Sequence, residues 1–236
     1  MSYVQGFVPS TSGLHFPNRF DHVPLRTVEI PIIGKTFSIG DAANGLCGGM
    51  VYTACDYFEN QLFPPAMTDP PNAGALYEYL VQRLFDSWDI PMGIVRYFEL
   101  MRPELPDYGS AVGLLGFPGQ SRAAVMIQRE WPLVRQDIDS NRLSPLGLIK
   151  TKSNDPARLG QNHQVLAYGY DLNGSNLALA IYDPNAPDDD QARITLNIAS
   201  PDQACRLECT TAPTVYCFFR TEYQKAGPPP NGTPRP

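Results

Sequence analysis

No run of eighteen apolar residues occurs in the 236-residue chain, so nothing in it reads as a membrane-spanning helix. Cationic residues are outnumbered, 18 Lys and Arg against 24 Asp and Glu, and the net charge of −6 argues against a nucleic-acid binder, which needs a basic patch or stripe. The first residues, Met1-Ser2-Tyr3-Val4-Gln5-Gly6, have neither the basic start nor the apolar centre of a secretory signal, and a cytoplasmic location is the expectation. There is no internal repeat. Gly113, Gly116 and Gly119 lack the lysine and the strand-to-helix setting of a phosphate-binding loop. Histidine is scarce as well: of three, His15 and His22 fall in the first 28 residues, which leaves His163 alone in the body of the chain.

Cysteine is present in an odd number, five: Cys47, Cys55, Cys205, Cys209 and Cys217. At least one is unpaired within a single chain. The loose group Cys205, Cys209 and Cys217 has no histidine nearby and no CxxC pair, so free thiols or one disulfide are favoured there over zinc. No cofactor is implied.

Cys47 has the most informative setting. It lies in Gly45-Leu46-Cys47-Gly48-Gly49-Met50, ahead of a run in which Val51, Ala54, Cys55 and Phe58 recur at helical spacing. That places the thiol at a helix N-terminus, where unpaired N–H groups and the helix dipole favour the thiolate, which is the nucleophilic form. A buried cysteine after a tight turn is the competing reading.

Residues 1–28 read as an extended arm with aromatics that pack on the body, and Val28–Gly34 as a short strand weakened by Pro31. Residues 40–45 form the loop before Cys47. After the Cys47 helix, Asn72 is a plausible N-cap for a helix over 73–85, with Leu76, Tyr77, Leu80, Val81 and Leu84 on its apolar face. Further helices are expected over 91–101 and 121–139, the latter kinked at Trp131-Pro132. Strands follow over 145–151, 163–170, 177–183, 192–198 and 214–220. Helices first and strands second give an α+β domain over 29–223, with a helical half near 45–140 and an antiparallel sheet half near 143–223. The proline-rich end, 224–236, reads as disordered.

Asn173-Gly174 is a strong hairpin signal between two of these strands. A turn centred on Asn173 sets His163 opposite Asp183, and one centred on Gly174 sets it opposite Asn185. A two-residue Asn-Gly loop sets it opposite Pro184. The first register is favoured, and it puts a carboxylate beside the ring at a cross-strand spacing of about 5 Å. Cys47, His163 and Asp183 then supply a nucleophile, a base and an orienter, the parts of an acyl-transfer site.

Leu46-Cys47-Gly48-Gly49-Met50, Asn162-His163-Gln164-Val165-Leu166-Ala167-Tyr168-Gly169-Tyr170 and Ile181-Tyr182-Asp183-Pro184 together resemble the motifs of papain-like cysteine peptidases. The Asp-Pro ending is most similar to the bacteriocin-leader-processing type. The resemblance implies a cleft between the two halves, a thioester intermediate on Cys47 and a peptide or amide substrate. It also implies an oxyanion-binding glutamine ahead of the cysteine. Six positions before Cys47 the chain has Asp41, whose charge would repel an oxyanion, and Asn44 is the nearest amide. Two alternatives to a peptidase therefore stand beside it: an amidase or acyltransferase on the same atoms, and an idle member of the fold that serves as a binding module.

Overall fold

The computed structural model of the chain describes residues 1–21, 24–30, 35–41, 45–112, 118–201 and 207–235. Its frame is an antiparallel sheet, curled into a half-barrel, in the order β11-β10-β9-β8-β7-β12. The strands are β7 (Ser144–Ile149), β8 (His163–Asn173), β9 (Asn176–Tyr182), β10 (Arg193–Asn197), β11 (Glu208–Cys209) and β12 (Cys217–Arg220). All of β7 and the first eight residues of β8 are buried, which explains why these strands read as nearly continuous apolar runs rather than alternating ones. The whole is mixed helix and antiparallel sheet, α+β. Among the described residues no helix is long and apolar enough to cross a membrane.

The first residues are ordered by contacts rather than by propensity. A short β1 (Ser2–Tyr3) pairs with β8, a single turn α1 (Pro9–Ser12) follows, and Leu14, Phe16 and Phe20 are buried. Next comes a separate hairpin, β2 (Pro24–Ile30) with β3 (Lys35–Asp41), in the register Val28 to Phe37. Of the strand expected over Val28–Gly34, residues 28–30 form the end of β2, and residues 31–34 lie outside the described residues.

Helix α2 (Cys47–Glu59) is the central element. Every residue from Gly48 to Phe58 is buried, not just one face. One side, with Val51, Tyr52, Ala54, Cys55 and Phe58, packs on the sheet in the larger core. The other, with Met50 and Tyr57, joins Leu14, Phe16, Leu76 and Leu80 in a second core. After β4 (Leu62–Phe63), helix α3 (Ala75–Ser87) crosses α2 at very short range. A Cβ on Gly49 would lie 2.1 Å from the Leu80 carbonyl oxygen, so only glycine fits there. The N-cap of α3 is Gly74; Asn72 donates its side-chain amide to Asp21 at 2.6 Å instead of capping.

Helix α4 (Met92–Met101) and the β5 (Ser110–Val112)–β6 (Pro118–Gln120) pair lead to a helical run, α5 (Arg122–Ala124), a π-helical segment (Val125–Glu130) and α6 (Trp131–Asp139). The break expected at Trp131-Pro132 falls one turn earlier. Proline removes a donor and crowds the carbonyl of the preceding turn, and that turn widens into the π segment. A 3-10 turn (Pro156–Gln161) delivers the chain into β8.

The proline-rich end is a correction. Residues 223–235 lie along α2 and α3 and finish in β13 (Thr233–Pro234), paired with β4. Composition pointed to disorder because no apolar run is present; the segment is held instead by hydrogen bonds to side chains of the two helices. The Tyr57 hydroxyl donates to the Pro230 carbonyl at 2.6 Å, Tyr79 donates to the Gly227 carbonyl at 2.9 Å, and Arg83 donates to the Gln224 carbonyl at 2.7 Å.

Candidate active site

Cys47 is the first residue of α2 and is half-buried. The N-cap, Leu46, has no capping side chain of its own. Its N–H donates to Asn18 Oδ1 at 2.6 Å, so an amide from the arm does the capping. Gly45 turns the chain into the helix at φ +89°, and a Cβ there would meet Asn18 Nδ2 at 2.4 Å. The loop therefore needs glycine both for its left-handed backbone and for the approach of Asn18.

His163 opens β8 and is 4% exposed. Its Nε2 lies 2.7 Å from Asp183 Oδ1, and its ring is near enough to the Cys47 sulfur for each group to shift the other's proton affinity. With Nε2 engaged by the carboxylate, Nδ1 is the nitrogen left for the sulfur. Burial alone would raise the thiol pKa. The His163 charge and hydrogen bond, with the N–H groups of Gln164 and Gly48, overcome burial and hold the thiol below its ordinary value. Burial would likewise depress the imidazole, but the sulfur and Asp183 raise it to about 10. Asp183 is itself held below the ordinary carboxylate value: burial opposes this, while His163, the Thr211 hydroxyl and the Asn185 N–H outweigh burial. A thiolate and an imidazolium side by side, with an ionised carboxylate behind the ring, is the state this electrostatic balance favours.

Asp183 reaches the ring through a different register from the one expected. Asn173 pairs with Asn176, so the hairpin loop has two residues, Gly174 and Ser175. A bulge between Ala167 and Gly169 then shifts the register, and beyond it Leu166 faces Tyr182. Extended straight, that register would set Asn185 opposite His163. But β9 ends at Tyr182, and residues 183–186 form a turn closed by the Ala186 N–H on the Asp183 carbonyl at 2.9 Å. Pro184 suits the second position of such a turn, and Asp183 Oδ1 accepts the Asn185 N–H at 2.8 Å, an Asx turn. The turn swings both side chains to the ring: Asn185 Nδ2 is 3.3 Å from His163 Nε2.

Which of the two orients the imidazole follows from the amide chain. The Leu46 N–H is a fixed donor, so the Asn18 atom facing it is oxygen. Asn18 Nδ2 then donates to Asn185 Oδ1 at 3.1 Å, which leaves the Asn185 amide nitrogen toward the ring. A second donor cannot accept the Nε2 proton; Asp183 can.

The remaining candidates are elsewhere. His15 Nδ1 pairs with Asp188 Oδ1 at 2.6 Å at the surface. Cys55 and Cys217 are buried free thiols whose pKa burial pushes up. Cys209 is also a free thiol and lies on β11, while Cys217 lies on β12, at the opposite end of the strand order. Among the described residues no cluster of three or more His, Cys, Asp or Glu is arranged to hold a metal. His22, Asn44, Cys205, Gly113, Gly116 and the side chain of Asp41 lie outside the described residues.

Sequence reasoning missed Asn18, Thr211 and the Gln164 N–H. Asn18 lies between two buried aromatics, Phe16 and Phe20, but that spacing says only that the arm is anchored. Thr211 is one of two adjacent threonines in a polar loop and carries no pattern. Gln164 also reaches inward: its Nε2 donates to Ser87 Oγ at 3.1 Å, and Ser87 and Tyr97 line a cavity of about 280 Å³ beside α4.

No protein-family model, curated protein or solved structure matches the chain.

Proposed function

We propose that the protein is a cysteine-dependent hydrolase of the papain-like kind, acting on a peptide or related amide through a thioester on Cys47. The observation that carries this reading is the pairing of His163 with Asp183 at 2.7 Å beside a Cys47 thiol that the ring draws toward ionisation. In the first step the thiolate attacks the substrate carbonyl carbon and a C–S bond forms. The carbonyl oxygen takes the negative charge near the start of α2, where N–H groups point outward. The His163 Nδ1 proton passes to the leaving amine, and the C–N bond breaks. In the second step His163, now neutral, takes a proton from water. The resulting hydroxide attacks the thioester, the C–S bond breaks, and thiolate and imidazolium are restored. Asp183 keeps the ring in the tautomer and orientation both steps need. An amine in place of water gives acyl transfer by the same atoms.

The second reading, an idle binding module, rests on Asp41 standing where the resemblance calls for glutamine. The two are separated with p-nitrophenyl acetate and mass spectrometry. A hydrolase gives a burst of one p-nitrophenolate per chain, a transient acetyl on Cys47 and continued turnover. The variant C47A gives none of these, and H163A slows the burst by about 100-fold or more. No acetyl on Cys47 in the unaltered protein, with labelling no faster than at Cys209, overturns the hydrolase reading.

A further inference from the structure

The arm and the two halves of the candidate site meet at one side chain, and this inference rests on the reading of Cys47 and His163 just given. Among the described residues Asn18 makes three hydrogen bonds, each to a piece of the site. Its N–H donates to the Pro184 carbonyl at 2.9 Å, its Oδ1 accepts the Leu46 N–H at 2.6 Å, and its Nδ2 donates to Asn185 Oδ1 at 3.1 Å. Pro184 and Asn185 belong to the turn that carries Asp183; Leu46 is the N-cap of the Cys47 helix. Leu46 has no capping side chain of its own and is fully buried, and among the described residues its N–H is taken up by Asn18.

We infer that Asn18 is a positioning residue that fixes the start of the Cys47 helix against the Asp183–Asn185 turn, so that the site is completed only when the N-terminal arm is docked. The arm is built to deliver it. Phe16 and Phe20, on either side, are buried and meet edge to face with centroids 6.4 Å apart. Pro17 stiffens the segment between them. Gly45 leaves room for the amide, as no other residue would. An Asn amide suits the task because it offers an acceptor and a donor at once on a short, stiff stem.

The chemistry explains why the clasp matters. Cys47 and His163 sit at the ends of separate elements, and their pairing persists only while those ends hold still. Loss of the Leu46 acceptor frees the first turn of α2 and lets the sulfur drift from the ring, so the thiol reverts toward ordinary behaviour.

The test is the pH dependence of Cys47 alkylation by iodoacetamide, mapped by mass spectrometry, in the unaltered chain and in N18A and N18D. N18A keeps the backbone bond to Pro184 and the aromatic anchors, so the arm stays in place. It is expected to slow Cys47 alkylation at pH 7 by about tenfold, the size of one lost backbone hydrogen bond, and to move the midpoint of the rate profile upward. N18D gives up the donor to Asn185 but retains an oxygen for the Leu46 N–H, the bond on which the inference turns; the rate should stay within about threefold of the original. Should N18A not fold, the midpoint in N18D and in N18L, which fills the space without an acceptor, gives the same comparison. An N18A or N18L profile that superimposes on the original, or an N18D loss equal to that of N18A, overturns the inference. Slow, His163-independent alkylation of the unaltered chain would instead count against the hydrolase reading itself.

Discussion

A proton has two places to sit in the Cys47–His163 pair, and folding moves it from one to the other. In an unfolded chain the imidazole loses its proton near 6.5 and the thiol holds one until near 9.0. In the folded protein the sulfur gives its proton up below 9.0, and the ring holds one until about 10. Approaching pH 9 from below, each state therefore keeps one proton in the pair, and the two shifts cancel. The lowered thiol contributes stability that is present above 9.0 and lost as pH falls; the raised imidazole contributes stability that is lost as pH rises through about 10. Above 9.0 only the second effect still changes. The unfolded chain is losing its proton, the folded pair has not, and stability declines with pH until the ring titrates. Urea unfolding should show a loss of less than about 1 kcal/mol between pH 9 and 10 that is absent in C47A/H163A. Equal slopes in the two proteins would mean that no proton is shared in this way. Of these groups, Cys47, His163 and Asp183 could be picked out of the sequence, because each belongs to a residue type that acyl transfer requires. Asn18 and Thr211 could not, since an amide or hydroxyl acting through a neighbour has no preferred spacing from the group it serves.

At the scale of elements, the site depends on how closely α3 approaches α2. The Leu80 carbonyl of α3 occupies the space a Cβ on Gly49 would need, two residues after Cys47. Leu80 and Leu84 close the second core across this crossing. The variant G49A must push the helices apart against a buried backbone, not against a side chain that can rotate away. A loss of at least about 1–3 kcal/mol is expected in urea unfolding, with slower Cys47 labelling because the start of α2 shifts. A stability unchanged from the original would show that the crossing can relax. Sequence periodicity revealed α2 and α3 but not this crossing. Apolar spacing identifies which residues turn inward, and Gly49 contributes by having nothing to turn. The β8–β9 hairpin shows the same limit. Asn173-Gly174 marked the turn, but the two-residue loop at Gly174 and Ser175 and the bulge near Tyr168 were both invisible to a count of residues. Asp183 meets His163 because of a proline turn after β9, not because the strands continue in step.

Across the whole molecule, the two chain ends are tied together over the helical half. Asp56 on α2 is fully buried and accepts hydrogen bonds from Tyr79, Tyr223 and the Ala226 N–H, and pairs with Arg83 at 2.7 Å. Arg235 then crosses to the arm. It donates to the Leu62 and Gly6 carbonyls and to Ser12 Oγ, with its guanidinium about 5 Å from the Phe58 ring. These two anchors differ in kind. Removing residues 231–236 releases Arg235 from neutral carbonyl and hydroxyl acceptors, of which only the Gly6 carbonyl is exposed, and leaves no charge unpaired. Removing residues 224–236 also strips the Ala226 N–H from a buried carboxylate and the Gln224 carbonyl from Arg83. An under-satisfied buried charge is the costlier defect. The shorter deletion should therefore lower the melting temperature by a few degrees and the longer by clearly more, at about 2–4 °C per kcal/mol for a chain of this size. If 224–236 behaved as its composition suggests, both deletions would leave the melting temperature where it is. The ordering of the two effects, rather than either alone, separates a tail that merely rests on the helices from one that completes the ionic core of α2.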